Sequence, residues 1–348
     1  IRSGISQRVI QKLVLNLIEM GGNFFSETLP KYVLDYYKLI DKNVALKEIH
    51  FPTSQKKLSQ AQIRLKFEEL TYTQLQLILK NQQRKRKIKG FLFSEIGSLL
   101  NSFYNHKLPY RLTIAQKRVI REIREDMGSG RQMNRLLQGD VGSGKTIVAL
   151  FAILIAIGNN YQACFVAPTE ILAQQHFASL QVLLSDSPVK LNLLTGSTKV
   201  KDRKIINKEL ENGTLSILIG THAIFEENVR FKNLGLAIID EQHRFGVAQR
   251  AKLWSKNNIP PHILVMTATP IPRTLAMSLY GDLDVSLIDE MPPGRKPVKT
   301  MHRYDNNRLK VFQFIKEKIE EGQQIYIVYP LIEESEKLDF KDLMDGYE

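Results

Sequence analysis

From about residue 109 onwards, the sequence alternates short apolar runs rich in β-branched residues with longer stretches of helical periodicity. Continuous apolar strands separated by helices are typical of a parallel β-sheet that helices cover on both faces. The pattern therefore predicts an α/β fold. Seven strands are predicted, at residues 135–138, 163–167, 190–194, 216–220, 236–239, 263–267 and 285–288.

The residues before this region have a different spacing of apolar residues. In 1–108, apolar residues recur at three- and four-residue spacing, first around 10–18 and again around 60–79, which predicts helices with one apolar face. His50 lies beside a proline-containing loop signal, and we interpret it as structural rather than as a ligand.

The end of the chain repeats the strand and helix pattern once. Residues 291–294, Met-Pro-Pro-Gly, indicate a linker, and a strand–helix–strand unit is predicted after it at about 298–303, 308–321 and 324–329. We therefore predict three parts: a mostly helical region over 1–108, a sheet-containing domain over 109–292, and the start of a second such domain over 293–348.

Composition narrows the class of protein. An apolar fraction of 43% in 348 residues argues against a disordered chain. The single cysteine, Cys164, excludes an intrachain disulfide framework and fits a reducing compartment. The longest uncharged apolar run, roughly 147–157, is too short to span a bilayer, so we expect no membrane partner. Because the chain begins at Ile1 without a methionine, we expect it to be a fragment of a longer protein.

The positive charge is concentrated in the first third of the chain. The net charge is +13, and residues 1–111 hold 19 basic and 8 acidic side chains, against 30 and 28 in residues 112–348. A local basic excess indicates a surface that faces a polyanion such as nucleic acid. The Arg-Lys-Arg-Lys run at 84–87 is equally compatible with a solvated helical face.

A phosphate-binding loop is the sharpest motif. Residues 139–146 match G-x-x-x-x-G-K-[ST], follow a predicted strand and open a helical run. Glycines let backbone N–H groups surround phosphate oxygens, and the helix N-terminus adds partial positive charge. Lys145 would reach the β- and γ-phosphates of ATP, and the Thr146 hydroxyl would bind Mg²⁺. The predicted cradle consists of Gly139, Asp140, Val141, Gly142, Ser143, Gly144, Lys145 and Thr146. A plain glycine turn is the alternative.

Two carboxylates follow the predicted strand at 236–239. Acidic residues at the carboxyl end of a parallel strand lie on the ligand edge of a sheet. Asp240 is the predicted Mg²⁺ partner, either as a direct ligand or through a water bound to the ion, and Glu241 is placed to polarise an attacking water. A helix N-cap would explain the pair equally well in isolation. Their position behind a strand, about 95 residues after Lys145, favours the catalytic interpretation.

Three segments together carry a resemblance to a known family. The loop 139–146, Asp-Glu-Gln-His at 240–243 and Thr-Ala-Thr at 267–269 resemble the first motor lobe of superfamily 2 helicases, which implies a RecA-like fold. The longer stretches 138–146, 240–247 and 266–274 are similar to the RecG family, bacterial ATP-dependent helicases of branched DNA. Transcription–repair coupling translocases are the second choice, since they typically have a glutamate where Gln242 stands.

The resemblance implies roles for further residues. Gln116, in the segment 112–116, would read the edge of the adenine base, and a surface glutamine is its alternative. His243 would join Lys145, Asp240 and Glu241 in the catalytic set, while Thr267 and Thr269 would couple the nucleotide state to the DNA. The residues implied to hold the DNA backbone are Pro168, Thr169, Thr195, Gly196, Thr221 and His222. For the DNA-holding residues, the alternative is ordinary turns at strand ends. For His243, Thr267 and Thr269, the alternative is a buried hydrogen-bonded cluster without a coupling role.

The resemblance also implies the function of the parent protein. We expect a bacterial, cytoplasmic and nucleoid-associated monomer that uses ATP and Mg²⁺ to remodel stalled forks and junctions in recombination and repair. Residues 1–108 would be the tail of a wedge domain and a helical connector, and the later motifs of the second lobe would lie after Glu348. The fragment itself is therefore expected to have little or no catalytic activity. The second interpretation is a non-catalytic DNA-binding fragment, and the third is a metabolic P-loop kinase.

Overall fold

The computed structural model describes residues 7–21, 25–108, 110–241, 259–269, 283–291 and 298–328. The chain divides into two compact units, Ile1–Pro293 and Gly294–Glu348, which are described separately. Among the described residues of the first unit, the α-helices are α1 (Gln7–Gly21), α2 (Lys31–Tyr37), α3 (Lys42–His50), α4 (Gln55–Lys87), α5 (Gly97–Ser102), α6 (Ile114–Met127), α7 (Lys145–Gly158), α8 (Glu170–Leu183) and α9 (Val200–Asn212). The strands among the same described residues are β1 (Asn134–Gly139), β2 (Gln162–Val166), β3 (Leu191–Leu194), β4 (Ile217–Gly220), β5 (Leu234–Asp240), β6 (His262–Thr267) and β7 (Asp284–Ile288).

The seven strands form one parallel sheet in the order β3-β4-β2-β5-β6-β1-β7. All seven strands predicted between residues 135 and 288 are present, and the ends differ by at most two residues. Strands β2, β4, β5 and β6 are buried at every residue, which explains why they read as continuous apolar runs rather than as alternating ones. The predicted α/β fold is confirmed.

Both faces of the sheet are covered. One apolar cluster joins α7 to inward-facing side chains such as Phe165 and Ile238, and the other joins α9 to side chains such as Cys164 and Ile239. Neighbouring residues of a strand thus supply opposite clusters, as the alternation of side chains along a strand requires. Ten successive residues of α7, from Ile147 to Ala156, are buried, so this helix lies in the interior.

Helices α1 to α5 confirm that the first part of the chain is mostly helical. Arg64 of the long helix α4 is fully buried and forms ion pairs with Glu27 and with Glu68, the latter at 2.7 Å. The segment after α4 joins the sheet domain, because Phe93 packs in its core and the Phe93 N–H donates to the Met127 carbonyl at 3.0 Å.

The second unit contains the predicted helix, here α10 (Arg308–Glu320). The two strands predicted beside it are wrong where the structure describes them, because residues 298–303 and 324–328 have no strand hydrogen bonding. A strand exists only where a neighbour completes its ladder, and Val298, Tyr326 and Val328 are more than four-fifths exposed. Among the described helices, none combines the length and the apolar character needed to cross a membrane.

Candidate nucleotide and DNA site

Three predicted motifs meet at the carboxyl edge of the sheet. β5, β6 and β1 are neighbours in the sheet order, and they end in Asp240, Thr267 and the loop that begins at Gly139. The register places Gln138 beside Thr267 and Asp240 beside Met266. The sheet therefore brings together the loop, the acidic pair and the Thr-Ala-Thr segment, which are far apart in sequence.

The loop has the backbone shape that its glycines permit. Gly142 and Gly144 adopt φ values of +77° and +88°, in the left-handed region that side chains disfavour. The Ser143 N–H donates to the Asp140 carbonyl at 3.1 Å, and α7 begins directly afterwards. The Lys145 ammonium donates to the carbonyls of Gly139 and Asp140 at 2.8 and 3.0 Å, so it lies over the loop.

The residues present fit a nucleotide phosphate. The hydroxyl oxygen of Ser143 is buried without a hydrogen-bond partner among the described residues. A Cβ on Gly139 would lie 2.5 Å from that oxygen, so only glycine leaves the cradle open. The N-terminus of α7, which begins at Lys145, adds the partial positive charge that favours an anion.

The oxygen ligands in this region suit Mg²⁺. A carboxylate at Asp240 and a hydroxyl at Thr146 are hard donors of the kind that Mg²⁺ prefers. In the part of the chain that the structure describes, no group of three or more His, Cys, Asp or Glu side chains could hold a metal by itself.

Gln116 is fully buried and forms part of a capping box at the start of α6. Its Oε1 accepts from the Thr113 N–H at 3.0 Å, and its Nε2 donates to the Ser143 carbonyl at 2.8 Å. The alternative of a surface glutamine is thereby wrong, because the amide supports the phosphate-binding loop from behind. Its role in reading adenine stays a prediction.

A cavity of about 540 Å³ flanks the same capping box, within the size range of small-molecule sites. Tyr110, whose phenol pKa is raised by burial, lines it together with Arg111 and Lys117. Sequence reasoning did not single out these residues. An aromatic and a basic side chain directly before the 112–116 segment were the signal that could have found them.

The acidic pair is held from two sides. Asp240 is buried, its Oδ1 accepts from the Glu241 N–H at 3.1 Å, and its Oδ2 lies 2.8 Å from His176 Nε2. Glu241 has φ +52°, an uncommon value outside glycine that costs about 1–3 kcal/mol and persists only where surroundings enforce it. Its Oε1 accepts from the Ala268 N–H at 3.2 Å.

The Glu241 contact ties the predicted water-activating carboxylate to the Thr-Ala-Thr segment. Within that segment, the hydroxyl oxygens of Thr267 and Thr269 lie 2.8 Å apart, and the Thr269 N–H donates to the Thr267 hydroxyl at 3.2 Å. His243, the remaining predicted member of the catalytic set, lies outside the described residues. His176 was missed by sequence reasoning, because no local motif marks it.

The predicted DNA-holding segments end the other half of the sheet, which consists of β2, β4 and β3. Thr169 caps α8 and accepts from the Leu172 N–H at 3.3 Å, with Pro168 before it. Thr195 and Thr221 are buried, and Thr221 Oγ1 has no hydrogen-bond partner among the described residues. Gly196 and His222 are exposed at the same edge.

Glu170 joins two of these segments. Its carboxylate accepts from the Ser197 hydroxyl at 2.8 Å and from the Ser197 N–H at 3.2 Å. The hydrogen bond from the Ser197 hydroxyl is the main reason that the pKa of Glu170 is lowered from its ordinary value. The structure thus brings all three segments to one edge, while their contact with DNA stays a prediction.

Comparisons with known proteins agree with this geometry. The family model for DEAD/DEAH box helicases matches residues 113–278. A RecG ATP-dependent DNA helicase from Synechocystis is 47% identical over 344 residues, which cover 99% of this chain and 41% of that protein. The corresponding protein of Aquifex aeolicus is 43% identical over 358 residues, which cover 100% of this chain and 45% of that protein.

A solved structure of RecG bound to a three-way DNA junction superposes with a TM-score of 0.74 at 42% identity and covers 95% of this chain and 44% of that one. The chain therefore spans less than half the length of each of these three relatives. The RecA-like fold and the resemblance predicted from residues 138–146, 240–247 and 266–274 are both confirmed.

Proposed function

Because the chain belongs to the RecG family of DNA helicases along its whole length, we propose that it is the nucleotide-binding part of an ATP-driven motor for branched DNA. Residues 109–292 would be the first motor lobe, preceded by the helical connector 1–108 and followed by the start of a second lobe at 293–348. The relative solved on a three-way junction supports branched DNA as the substrate. ATP and Mg²⁺ are the proposed cofactors.

One observation carries the proposal: the loop, the acidic pair and the Thr-Ala-Thr segment occupy adjacent strand ends, and the Glu241 carboxylate contacts the Ala268 N–H. A P-loop alone occurs in many kinases and ATPases. A water-activating carboxylate joined to a third segment, on a sheet whose other half ends in the predicted DNA segments, is the arrangement that a DNA-dependent ATPase requires.

The chemistry then divides among the chain's own residues. Lys145, at the start of α7, would neutralise the β- and γ-phosphates, while the loop N–H groups hold their oxygens. Thr146 and Asp240 would hold Mg²⁺, which supplies charge neutralisation at the phosphates when bound. Glu241 would accept the proton of the attacking water and orient it in line with the bond that breaks. The hydrogen bond from the Ala268 N–H holds that carboxylate beside the Thr-Ala-Thr segment.

The DNA contacts would be made to the backbone rather than to the bases. Small hydroxyl residues and N–H groups such as those at Thr169, Gly196 and Thr221 suit phosphate oxygens, and phosphate contacts position a protein without reading sequence. A translocating motor needs contacts of this kind, because it must hold every sequence that it passes.

Substitution of the loop lysine in the complete protein tests the proposal. Lys145→Ala should abolish ATP turnover and unwinding of forked DNA, while salt-sensitive DNA binding persists, because the proposed DNA segments lie on the other half of the sheet. Lys201→Ala is the matched control, since Lys201 is exposed on α9 and lies in none of the motifs. Unwinding that survives in Lys145→Ala would overturn the motor proposal, and loss of DNA binding would overturn the division of the sheet.

A further inference from the structure

The sheet order separates the two halves of the site at one boundary. β3, β4 and β2 end in the predicted DNA segments, whereas β5, β6 and β1 end in the nucleotide motifs. β2 and β5 are therefore the strands that meet at this boundary. One side-chain contact bridges it: His176, on the helix after β2, lies against Asp240, at the end of β5.

The geometry of this contact is tight. His176 Nε2 lies 2.8 Å from Asp240 Oδ2, and the two side chains are only 14% and 11% exposed. The imidazole ring packs on Phe165 of β2, with ring centroids 4.4 Å apart, so it cannot turn away without leaving that ring. In the low dielectric of a buried site, a hydrogen bond to a carboxylate is among the strong ones.

The His176 contact fixes the orientation of the Asp240 carboxylate. Asp240 Oδ1 accepts from the Glu241 N–H at 3.1 Å, so both oxygens are held, each by one bond from a different direction. A carboxylate oxygen has two lone pairs, and each oxygen of Asp240 therefore keeps acceptor capacity for a cation. Without His176, the carboxylate can rotate about its bond to the chain while Oδ1 alone holds it.

Helix α8 links this contact to the predicted DNA grip. Thr169 is the N-cap of α8, and His176 lies seven residues further on, which is two turns and about 10.5 Å along the same face. Glu170, in the first turn, is bonded to Ser197 of the neighbouring segment. A displacement of the helix end by DNA would therefore move the imidazole that holds Asp240.

We propose that His176 is a positioning residue through which α8 couples DNA engagement at its N-cap, Thr169, to the proposed Mg²⁺-binding carboxylate of Asp240. The inference rests on the function proposed above and adds a residue and a route to it. Coupling of two sites is reciprocal in binding free energy, so DNA should change the affinity for Mg²⁺–ADP by a measurable factor that depends on His176. Loss of one hydrogen bond to a charged group should lower that factor about tenfold.

The experiment measures the affinity of the complete protein for a fluorescent ADP analogue, with and without forked DNA, in Mg²⁺ and in EDTA. His176→Phe keeps an aromatic ring against Phe165 but removes the donor, whereas His176→Gln restores an N–H donor. Gln175→Ala is the matched control, because Gln175 is exposed on the same helix. We expect the DNA-linked factor to fall in His176→Phe, to return in His176→Gln and to stay unchanged in Gln175→Ala, with affinity in EDTA unaltered.

The possible failures are distinguishable. If DNA changes the Mg²⁺–ADP affinity of His176→Phe by the same factor as in the wild type, the histidine only packs against Phe165. That result overturns the coupling role while the motor proposal stands. If His176→Phe does not fold, a folded His176→Gln without coupling overturns it as well. A wild-type protein that binds no Mg²⁺–ADP, or whose ATP turnover ignores DNA, overturns the proposed function itself.

Discussion

Substitution of one loop glycine tests whether Gln116 supports the phosphate-binding loop. Gly144 has φ +88°, and a Cβ there would lie 2.3 Å from Gln116 Nε2, so the glutamine must move. Gly130→Ala is the matched control, since Gly130 has φ +70° but a Cβ there would meet no atom within 4 Å. The two substitutions share the backbone cost, and only Gly144→Ala adds the clash.

The magnitude follows from these contacts. An alanine in the left-handed region costs about 1–2 kcal/mol, which both variants bear. Displacing Gln116 breaks its bond to the Ser143 carbonyl and leaves a buried donor unpaired, which costs about 1–3 kcal/mol more. We expect the free energy of unfolding to fall by about 2–5 kcal/mol in Gly144→Ala and by about 1–2 kcal/mol in Gly130→Ala.

Urea unfolding of this chain and of a Gln116→Ala background measures the difference. In the Gln116→Ala background the clash is gone, so Gly144→Ala should destabilise the chain no more than Gly130→Ala does. The difference between the two backgrounds gives an interaction energy of about 1–3 kcal/mol between residues 116 and 144. Nucleotide binding should be lost in Gly144→Ala and retained in Gly130→Ala. The supporting role of Gln116 would be refuted if the losses in free energy of unfolding from Gly144→Ala and Gln116→Ala were strictly additive. It would also be refuted if Gly144→Ala and Gly130→Ala destabilised the chain equally when Gln116 is present.

Three further predictions concern other parts of the chain. Burial lowers the pKa of His262 to about 4, and because the unfolded imidazole titrates near 6.5, the unfolded chain takes up the proton first. The contribution of His262 to the free energy of unfolding should therefore be complete well above pH 6.5 and fall by about 3 kcal/mol as the pH drops to 4, so urea unfolding should find an acid loss smaller by that amount in His262→Gln. Neutralising the basic run at 84–87 should reduce the slope of log binding constant against log salt concentration by about 0.9 for each DNA phosphate contact removed. An unchanged slope would mean that the run is a solvated helical face. The 348-residue chain alone should show little or no DNA-stimulated ATP turnover, since motor arginines typically supply about 10³–10⁵ in rate from a second lobe; turnover like that of the complete protein would contradict this.

Much of the fold could be predicted because its signals are local. A buried parallel strand is apolar at every position, so β2, β4, β5 and β6 stand out in the sequence without knowledge of their neighbours. The loop 139–146 is also local, because its glycines, lysine and threonine lie within eight consecutive residues. The strands predicted at 298–303 and 324–329 were wrong over the described residues 298–303 and 324–328, because a strand needs a partner and a pattern within the segment cannot supply one.

The contacts within the site could not be predicted from these patterns. Gln116 and Ser143 are 27 residues apart, as are Glu241 and Ala268, while His176 and Asp240 are 64 apart. The Glu241 and His176 contacts depend on which strands are adjacent, and the Gln116 contact depends on where α6 packs; no single segment of sequence specifies either arrangement. His176 in particular reads as an ordinary helical residue until β2 and β5 are known to be neighbours.

The central claim is that this lobe belongs to a motor driven by branched DNA. The most direct test is the steady-state ATP turnover of the complete protein on forked, duplex and single-stranded DNA of equal length, with Glu241→Gln as the variant that lacks the carboxylate proposed to activate water. We predict the greatest stimulation by forked DNA and no turnover in Glu241→Gln, although that variant should still bind nucleotide. Turnover that is the same with and without DNA, or that survives in Glu241→Gln, would contradict the claim.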